Sequence, residues 1–321
     1  MPIFSGAFVR LPSQIRCTTY GVLAVLTWSA VLHLVRIVSE DFGVVGGAAL
    51  VYTYAAVFLV AFLDMPNIKQ FSRKYLLIGG VLFVAYELCL SLSLGFANSR
   101  EQSTQVLIVN YLWPAFTVLG AVISRHNSAS LPLLISGCIL AFIGVCLVVS
   151  DDLTSLLYGA LSSVKSNPLS FALAFCGAII WAIYCNITKS ISGGKNAITL
   201  FFAFTALTLW GKWYLLDAGF LTNFTFASIF ILVLAGGGMA LGYGLWNKAI
   251  ISGNMIVLAV ISYFTPVFSG MFGTVILNIE LTESFWVGVT SITIGSLLCW
   301  QSTRLFKPPV NSVQTVLDNT E

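Results

Sequence analysis

The chain has 321 residues, of which 58% are hydrophobic and only 8% charged, with 15 Lys+Arg against 12 Asp+Glu. A soluble domain carries about 25% charged residues, so a soluble globular protein is excluded, and the apolar content excludes a disordered chain. At about 20 residues per membrane helix, ten spans would use about 200 residues and leave short loops. The expectation is a polytopic membrane protein without an extramembrane domain.

Charge, Pro, Gly and Asn clusters divide the chain into ten apolar runs. The first, 17–38, carries Trp28 and is too long for a cleavable signal. After 43–63, the third run, 75–97, contains Tyr86 and Glu87. Glu87 lies 13 residues beyond Lys74, about 20 Å along a helix, too deep to snorkel. A carboxylate at that depth faces a cavity or a partner. It is a substrate-ammonium site, a proton carrier or a structural hydrogen-bond acceptor, and the residues alone leave all three open.

The fourth run, 104–124, places Asn110, Trp113, Pro114 and Thr117 on one face by their i, i+3, i+4, i+7 spacing. Pro114 removes a backbone donor and so frees the Asn110 carbonyl, while the bend makes Pro114 a candidate hinge. Next come 131–150, with Gly137 and Gly144, then 168–189, with Trp181 and Tyr184, and 196–216. The eighth run, 228–249, carries Tyr243, Trp246 and Lys248. Lys248 is a candidate ion-pair partner for Glu87 or a contact for a substrate carboxylate, with snorkelling as the competing reading. The ninth, 254–277, repeats the proline pattern as Ser262, Tyr263, Thr265 and Pro266, which makes Pro266 the second candidate hinge. The tenth, 284–305, carries Gly288 and Gly295.

Ten spans put both termini on one side. Arg10, Arg16, Lys69, Arg73, Lys74, Arg125, Lys189, Lys195, Lys248, Arg304 and Lys307 fall on that side, with only Arg36, Arg100, Lys165 and Lys212 opposite. The positive-inside rule therefore predicts cytoplasmic termini.

The halves echo one another. Asn110-Tyr111-Leu112-Trp113-Pro114 recurs as Ser262-Tyr263-Phe264-Thr265-Pro266, Trp28 as Trp181, Tyr86 as Tyr243, and Gly137 and Gly144 as Gly288 and Gly295, at offsets between 151 and 157. Residues 1–150 thus form a first five-helix repeat, and 151–321 a second with a short cytoplasmic tail. Five is odd, so the second copy is inverted. The expected fold is an all-α membrane protein of ten transmembrane helices around a central cavity, the usual basis of alternating access. The small faces of the fifth and tenth runs predict close mutual packing.

The stretches Tyr86-Glu87-Leu88-Cys89-Leu90-Ser91-Leu92-Ser93-Leu94-Gly95, Val109-Asn110-Tyr111-Leu112-Trp113-Pro114, Trp181-Ala182-Ile183-Tyr184-Cys185 and Ser262-Tyr263-Phe264-Thr265-Pro266-Val267 resemble the YddG-type aromatic amino acid exporters. These are ten-span EamA-type members of the drug/metabolite transporter superfamily, and the likeness runs over about residues 20–303. The resemblance implies export of aromatic and other neutral amino acids through a bacterial inner membrane.

Deep indole and phenol groups suit a wet cavity, where they can stack on a ring and hold an ammonium. The candidate substrate-binding set is Tyr86, Glu87, Asn110, Trp113, Trp181, Tyr184, Tyr243, Trp246, Ser262 and Tyr263. Seven cysteines without a CxxC spacing and only two histidines predict no metal, disulfide framework or cofactor. The absence of a catalytic pair or Walker motif argues against an enzyme or an ATP-driven pump. The expected partners are a small amino acid and the bilayer, with no nucleic acid, a monomeric state, and protons as an open alternative. The rival reading is a multidrug, lipophilic-cation or other metabolite exporter, with an intramembrane enzyme or sensor as the outside class.

Overall fold

The computed structural model describes residues 13–63, 66–98, 106, 109–123, 130–149, 164–217, 224–265, 267–269, 271–272 and 283–305. Among these residues the regular secondary structure is helical. The elements are α1 Ser13–Phe42, α2 Val44–Leu63, α3 Gly80–Gly95, α4 Trp113–Ile123, α5 Leu131–Val149, α6 Pro168–Ile191, α7 Ile198–Lys212, α8 Phe226–Ser252, α9 Met255–Ser262 and α10 Glu283–Leu305. Val44–Phe62, Tyr75–Gly95, Pro168–Ile191, Ile198–Leu215 and Phe226–Ser252 are each long and apolar enough to cross a bilayer. The protein is therefore a multi-pass membrane protein.

Local chemistry fixes the helix starts. Asn167 accepts a hydrogen bond from the Ser170 N–H and is followed by Pro168 at the first turn of α6. Thr225 and Ser228 form a reciprocal capping box on α8. Asn254 accepts from the N–H groups of Ile256 and Val257 and opens α9.

The expected fourth and ninth helices are both interrupted, which is more than a bend. The backbone turns at Tyr111 and Leu112 before α4 begins at Trp113. In the other half α9 ends at Ser262, turns at Tyr263 and Phe264, and helical geometry resumes at Thr265. Pro114 follows the first break and withholds the N–H that would have bonded the Asn110 carbonyl. Pro266, the other candidate hinge, lies outside the described residues.

The packing obeys a two-fold exchange of the halves. α1 packs on α8 and α3 on α6, and these two contacts interchange when each helix is replaced by its repeat partner. The contacts of α2 with α7, α4 with α9 and α5 with α10 map onto themselves. That pattern is the one expected of two structurally related halves.

The tightest seam joins α5 to α10. A Cβ built on Gly295 would stand 2.7 Å from both the Ala141 nitrogen and the Gly137 oxygen. One on Gly144 would stand 2.7 Å from the Gly288 oxygen. The backbones touch because there is no side chain to hold them apart, which is how membrane helices gain dispersion contact without a hydrophobic driving force. Cys138 and Cys299 face each other across this seam with sulfurs 3.8 Å apart.

Candidate functional site

Five helices and the two interrupted ones surround a central cavity. Its wall takes Trp28, Val35 and Ser39 from α1, Ala48 and Tyr52 from α2, and Tyr86, Leu90, Ser91, Leu94 and Gly95 from α3. Asn110, Tyr111 and Trp113 come from the first break, Trp181 from α6, Met239 and Tyr243 from α8, and Thr265 from the second break. The wall climbs from ring residues at mid-helix to Ser39 and Gly95, at the bundle end that carries Glu40, Asp41 and Glu283. The opposite end carries Arg16, Lys69, Arg73, Lys74, Lys189, Lys195 and Lys248.

Trp181 is the centre of the floor. Its ring stacks with Tyr86 (centroids 4.5 Å apart, planes 26°) and with Tyr184 (5.0 Å, 15°). Trp28, Phe83, Trp113 and Tyr243 meet it edge-on at 5.4 to 6.4 Å. Edge-to-face and offset contacts of this kind each add about 0.5–1.5 kcal/mol beyond burial. Repeat partners meet here: Trp28 with Trp181, Tyr86 with Tyr243, and Trp113 with Thr265 all line the same cavity. A floor made of repeat-related pairs sits on the pseudo-two-fold axis, where alternating-access carriers place their ligand.

Of the residues singled out in the sequence, Tyr86, Asn110, Trp113, Trp181 and Tyr243 lie on the wall, and Pro114 follows directly. Trp28, their repeat-related companion, lines it too, and the other described candidates are not among the lining residues. Glu87 is fully buried behind the wall, where one carboxylate oxygen accepts from the Tyr52 hydroxyl and Tyr243 is within electrostatic reach. Among the described residues the other oxygen has no partner within the geometric limits of a hydrogen bond. Tyr52, not Glu87, faces the cavity. Tyr184 and Trp246 lie beneath the floor, with Trp246 packed against Trp28 and Trp113.

The second break disagrees with the expectation for Ser262 and Tyr263. The Ser262 carbonyl, left without its helical donor, accepts from the Thr265 hydroxyl at 2.7 Å, and the Ser262 hydroxyl donates to the Ala259 carbonyl. The vacancy is filled from within the chain, so no free acceptor faces a substrate. Tyr263 is buried in a cluster with Ala141, Val267, Ile292 and Tyr111, of which Tyr111 reaches the cavity wall.

Of the readings open for Lys248, its position fits snorkelling. It projects from the exposed face of α8 at the basic end, away from Glu87. Its neighbour Asn247 is 1% exposed and points into the bundle, because consecutive helical residues are rotated by about 100°.

Tyr52 and Tyr111 are wall residues that the sequence argument did not place in the site, whereas Thr265 lies on the face of the ninth run that repeats the proline pattern. Tyr52 carried the same signal as Tyr86, a phenol midway along an apolar run. Asn247, Asn196 and Tyr75 were also passed over, although an amide or phenol deep in lipid needs a partner as much as a charge does.

The EamA-like transporter family matches the chain twice, over residues 16–150 and 169–301. The Aromatic amino acid exporter YddG of Salmonella typhimurium (strain 14028s / SGSC 2262) is 40% identical over 289 residues, covering 90% of this chain and 98% of that protein. The protein of the same name from Escherichia coli (strain K12) is 40% identical over 292 residues, with the same coverage. A protein of known crystal structure superposes with a TM-score of 0.74 at 17% identity, over 92% of this chain and 100% of that one, a likeness of fold alone.

Proposed function

The chain belongs to the EamA-like transporter family, and from that premise we propose that it exports aromatic and other neutral amino acids across the bacterial inner membrane. It is a transporter and not an enzyme. The observation that carries the substrate class is the cavity wall, which is rich in rings and, among the described residues, has no Asp, Glu, Lys, Arg or His in its lining. Those residues suit a solute whose charges cancel. Trp28, Tyr86, Trp113, Trp181 and Tyr243 offer faces and edges to a side-chain ring and to an ammonium. Asn110, Thr265 and the tyrosine hydroxyls are donors and acceptors for the zwitterion.

The basic end faces the cytoplasm with both termini, by the distribution of Lys and Arg, so the cavity described above opens outward. Export proceeds by rocking of the two repeats, residues 1–150 and 151–321, with Pro114 and Pro266 as the flexible points of the interrupted helices. The protein works as a monomer. Transport runs down the substrate gradient without an ion. Glu87 is a positioning group that holds Tyr52, and does not touch the solute.

Counterflow into proteoliposomes preloaded with each of the twenty amino acids tests the proposal. Phenylalanine, tyrosine and tryptophan are expected to support the fastest exchange and aspartate and lysine the slowest. Exchange with none of the twenty would overturn it. An imposed pH gradient is expected to leave downhill phenylalanine flux unchanged. Uphill accumulation driven by that gradient would establish proton coupling instead.

Trp113→Phe is a sharper test of the wall. It keeps a ring between Trp181 and Trp246 but shortens the surface offered to the cavity. A loss of about one contact's energy, roughly 1.4 kcal/mol, corresponds to about a tenfold drop in exchange with the melting temperature nearly unchanged. Normal exchange would remove Trp113 from the site.

A further inference from the structure

Below the floor, toward the basic end, the packing changes from rings to a buried polar cluster. The Tyr184 hydroxyl donates to the Asn247 side-chain oxygen at 2.6 Å. The Asn247 side-chain nitrogen donates to the Tyr75 hydroxyl at 3.1 Å and to the Asn196 side-chain oxygen at 2.5 Å. The Tyr75 hydroxyl accepts in addition from the Ala197 N–H at 3.3 Å. Asn247 is thus the node of three hydrogen bonds, two to the fully buried Tyr184 and Tyr75 and one to the half-buried Asn196.

The cluster joins elements that separate elsewhere. Tyr75 leads into α3 and Tyr184 lies on α6, two helices packed on each other, whereas Asn247 lies on α8, which is packed on α1. Toward the acidic end these two helix pairs stand apart and form opposite walls of the cavity. At the basic end Asn247 ties one pair to the other.

The tie is one-sided. By the repeat offsets, Asn247 corresponds to Leu90, Tyr75 to Leu232 and Tyr184 to Val31. At these three positions the mirror-image closure, at the acidic end, would bring together aliphatic side chains. In the dry interior a satisfied polar cluster is specific and rigid, and opening it leaves several groups to be rehydrated at once.

Resting on the transport reading above, we propose that Asn247, with Tyr184, Tyr75 and Asn196, is a one-sided latch that holds the basic end shut, and that releasing it is the step that admits substrate. The latch is wired to the site. Tyr184 and Tyr86 both stack on Trp181, and Tyr86 and Trp181 line the cavity, so a ring arriving at the floor displaces the same stack that carries the Tyr184 hydroxyl. The asymmetry of the two closures biases the empty carrier toward the state open at the acidic end.

Cys185, fully buried beside Tyr184, is a native reporter. The full-length protein in nanodiscs, where both faces are reachable, is treated with a membrane-impermeant maleimide, and modification of Cys185 is followed by peptide-resolved mass spectrometry. Tyr184→Phe removes one hydroxyl and keeps the ring. Asn247→Leu replaces the node by the residue of the opposite repeat. Tyr184→Phe is expected to accelerate Cys185 labelling about five- to tenfold, the population shift that follows loss of one buried hydrogen bond, and Asn247→Leu at least as much. Should Asn247→Leu fail to fold, Tyr184→Phe and Tyr75→Phe decide the matter. A wild-type labelling rate in a folded Tyr184→Phe protein overturns the latch. Phenylalanine added to wild type should change the labelling rate. If it does not while the variants still accelerate, the latch stands and the substrate reading fails.

Discussion

Gly295→Val is expected to abolish the folded protein, or to lower its stability by about 3 kcal/mol or more. The reason is geometric. Position 295 sits where a Cβ would be 2.7 Å from two backbone atoms of α5, and 2.9 Å from the Ala141 Cβ. A flexible side-chain tip could move aside, but a backbone nitrogen and oxygen within a helix cannot, so the helices themselves must part. Parting them forfeits dispersion contact along a seam whose opposite glycines, Gly137 and Gly144, make equally close approaches. Gly295→Ala already introduces the offending atom and should show a large part of the effect. Gly211→Ala on α7 is the control, since nothing lies within 4 Å of its Cβ position. Thermal melting of the detergent-purified proteins, read by monodispersity after heating, checks this. A Gly295→Val protein as stable as wild type would mean that α5 and α10 do not approach through their glycines.

The same seam shows why much of the fold was legible from residues alone. Gly137, Gly144, Gly288 and Gly295 recur at one offset with small neighbours, and small faces in lipid have few uses other than packing. Unbroken apolar runs separated by basic and acidic clusters left little freedom in placing the spans. The floor followed from similar reasoning, because Trp28 with Trp181 and Tyr86 with Tyr243 are repeat partners deep in the bilayer.

What the sequence did not disclose was rotation and local rescue. Lys248 drew attention by its charge, whereas Asn247, one residue away and turned inward, holds the cluster beneath the floor. Pro114 and Pro266 leave equivalent carbonyls without donors, yet Thr265 satisfies the Ser262 carbonyl while its counterpart Trp113 has no hydroxyl with which to do the same for Asn110. Equal backbone defects thus acquire different chemistry from one side chain. Glu87 was conspicuous for the same reason as Lys248, but the group that meets the cavity is the phenol bound to it, Tyr52.

Trp181→Ala is expected to have the largest effect on transport. The indole touches six other rings and forms the middle of the floor, so truncation removes both a substrate surface and the stack that links it to Tyr184. Buried Trp to Ala changes cost about 3–5 kcal/mol, so stability must be separated from function. Phe83→Leu makes that separation. Phe83 is fully buried and meets Trp181 at 6.1 Å, but it is absent from the cavity wall. It should lower the melting temperature and leave phenylalanine exchange per folded molecule little changed. Trp181→Ala should lower exchange per folded molecule by more than about tenfold, at least one full aromatic contact being lost from the bound state. Trp181→Phe, which retains a ring to stack with Tyr86 and Tyr184, should recover part of both losses. The decisive quantity is initial counterflow rate divided by the folded fraction in the same preparation. If Trp181→Ala matches Phe83→Leu on that ratio, Trp181 serves the core and the solute binds elsewhere on the wall.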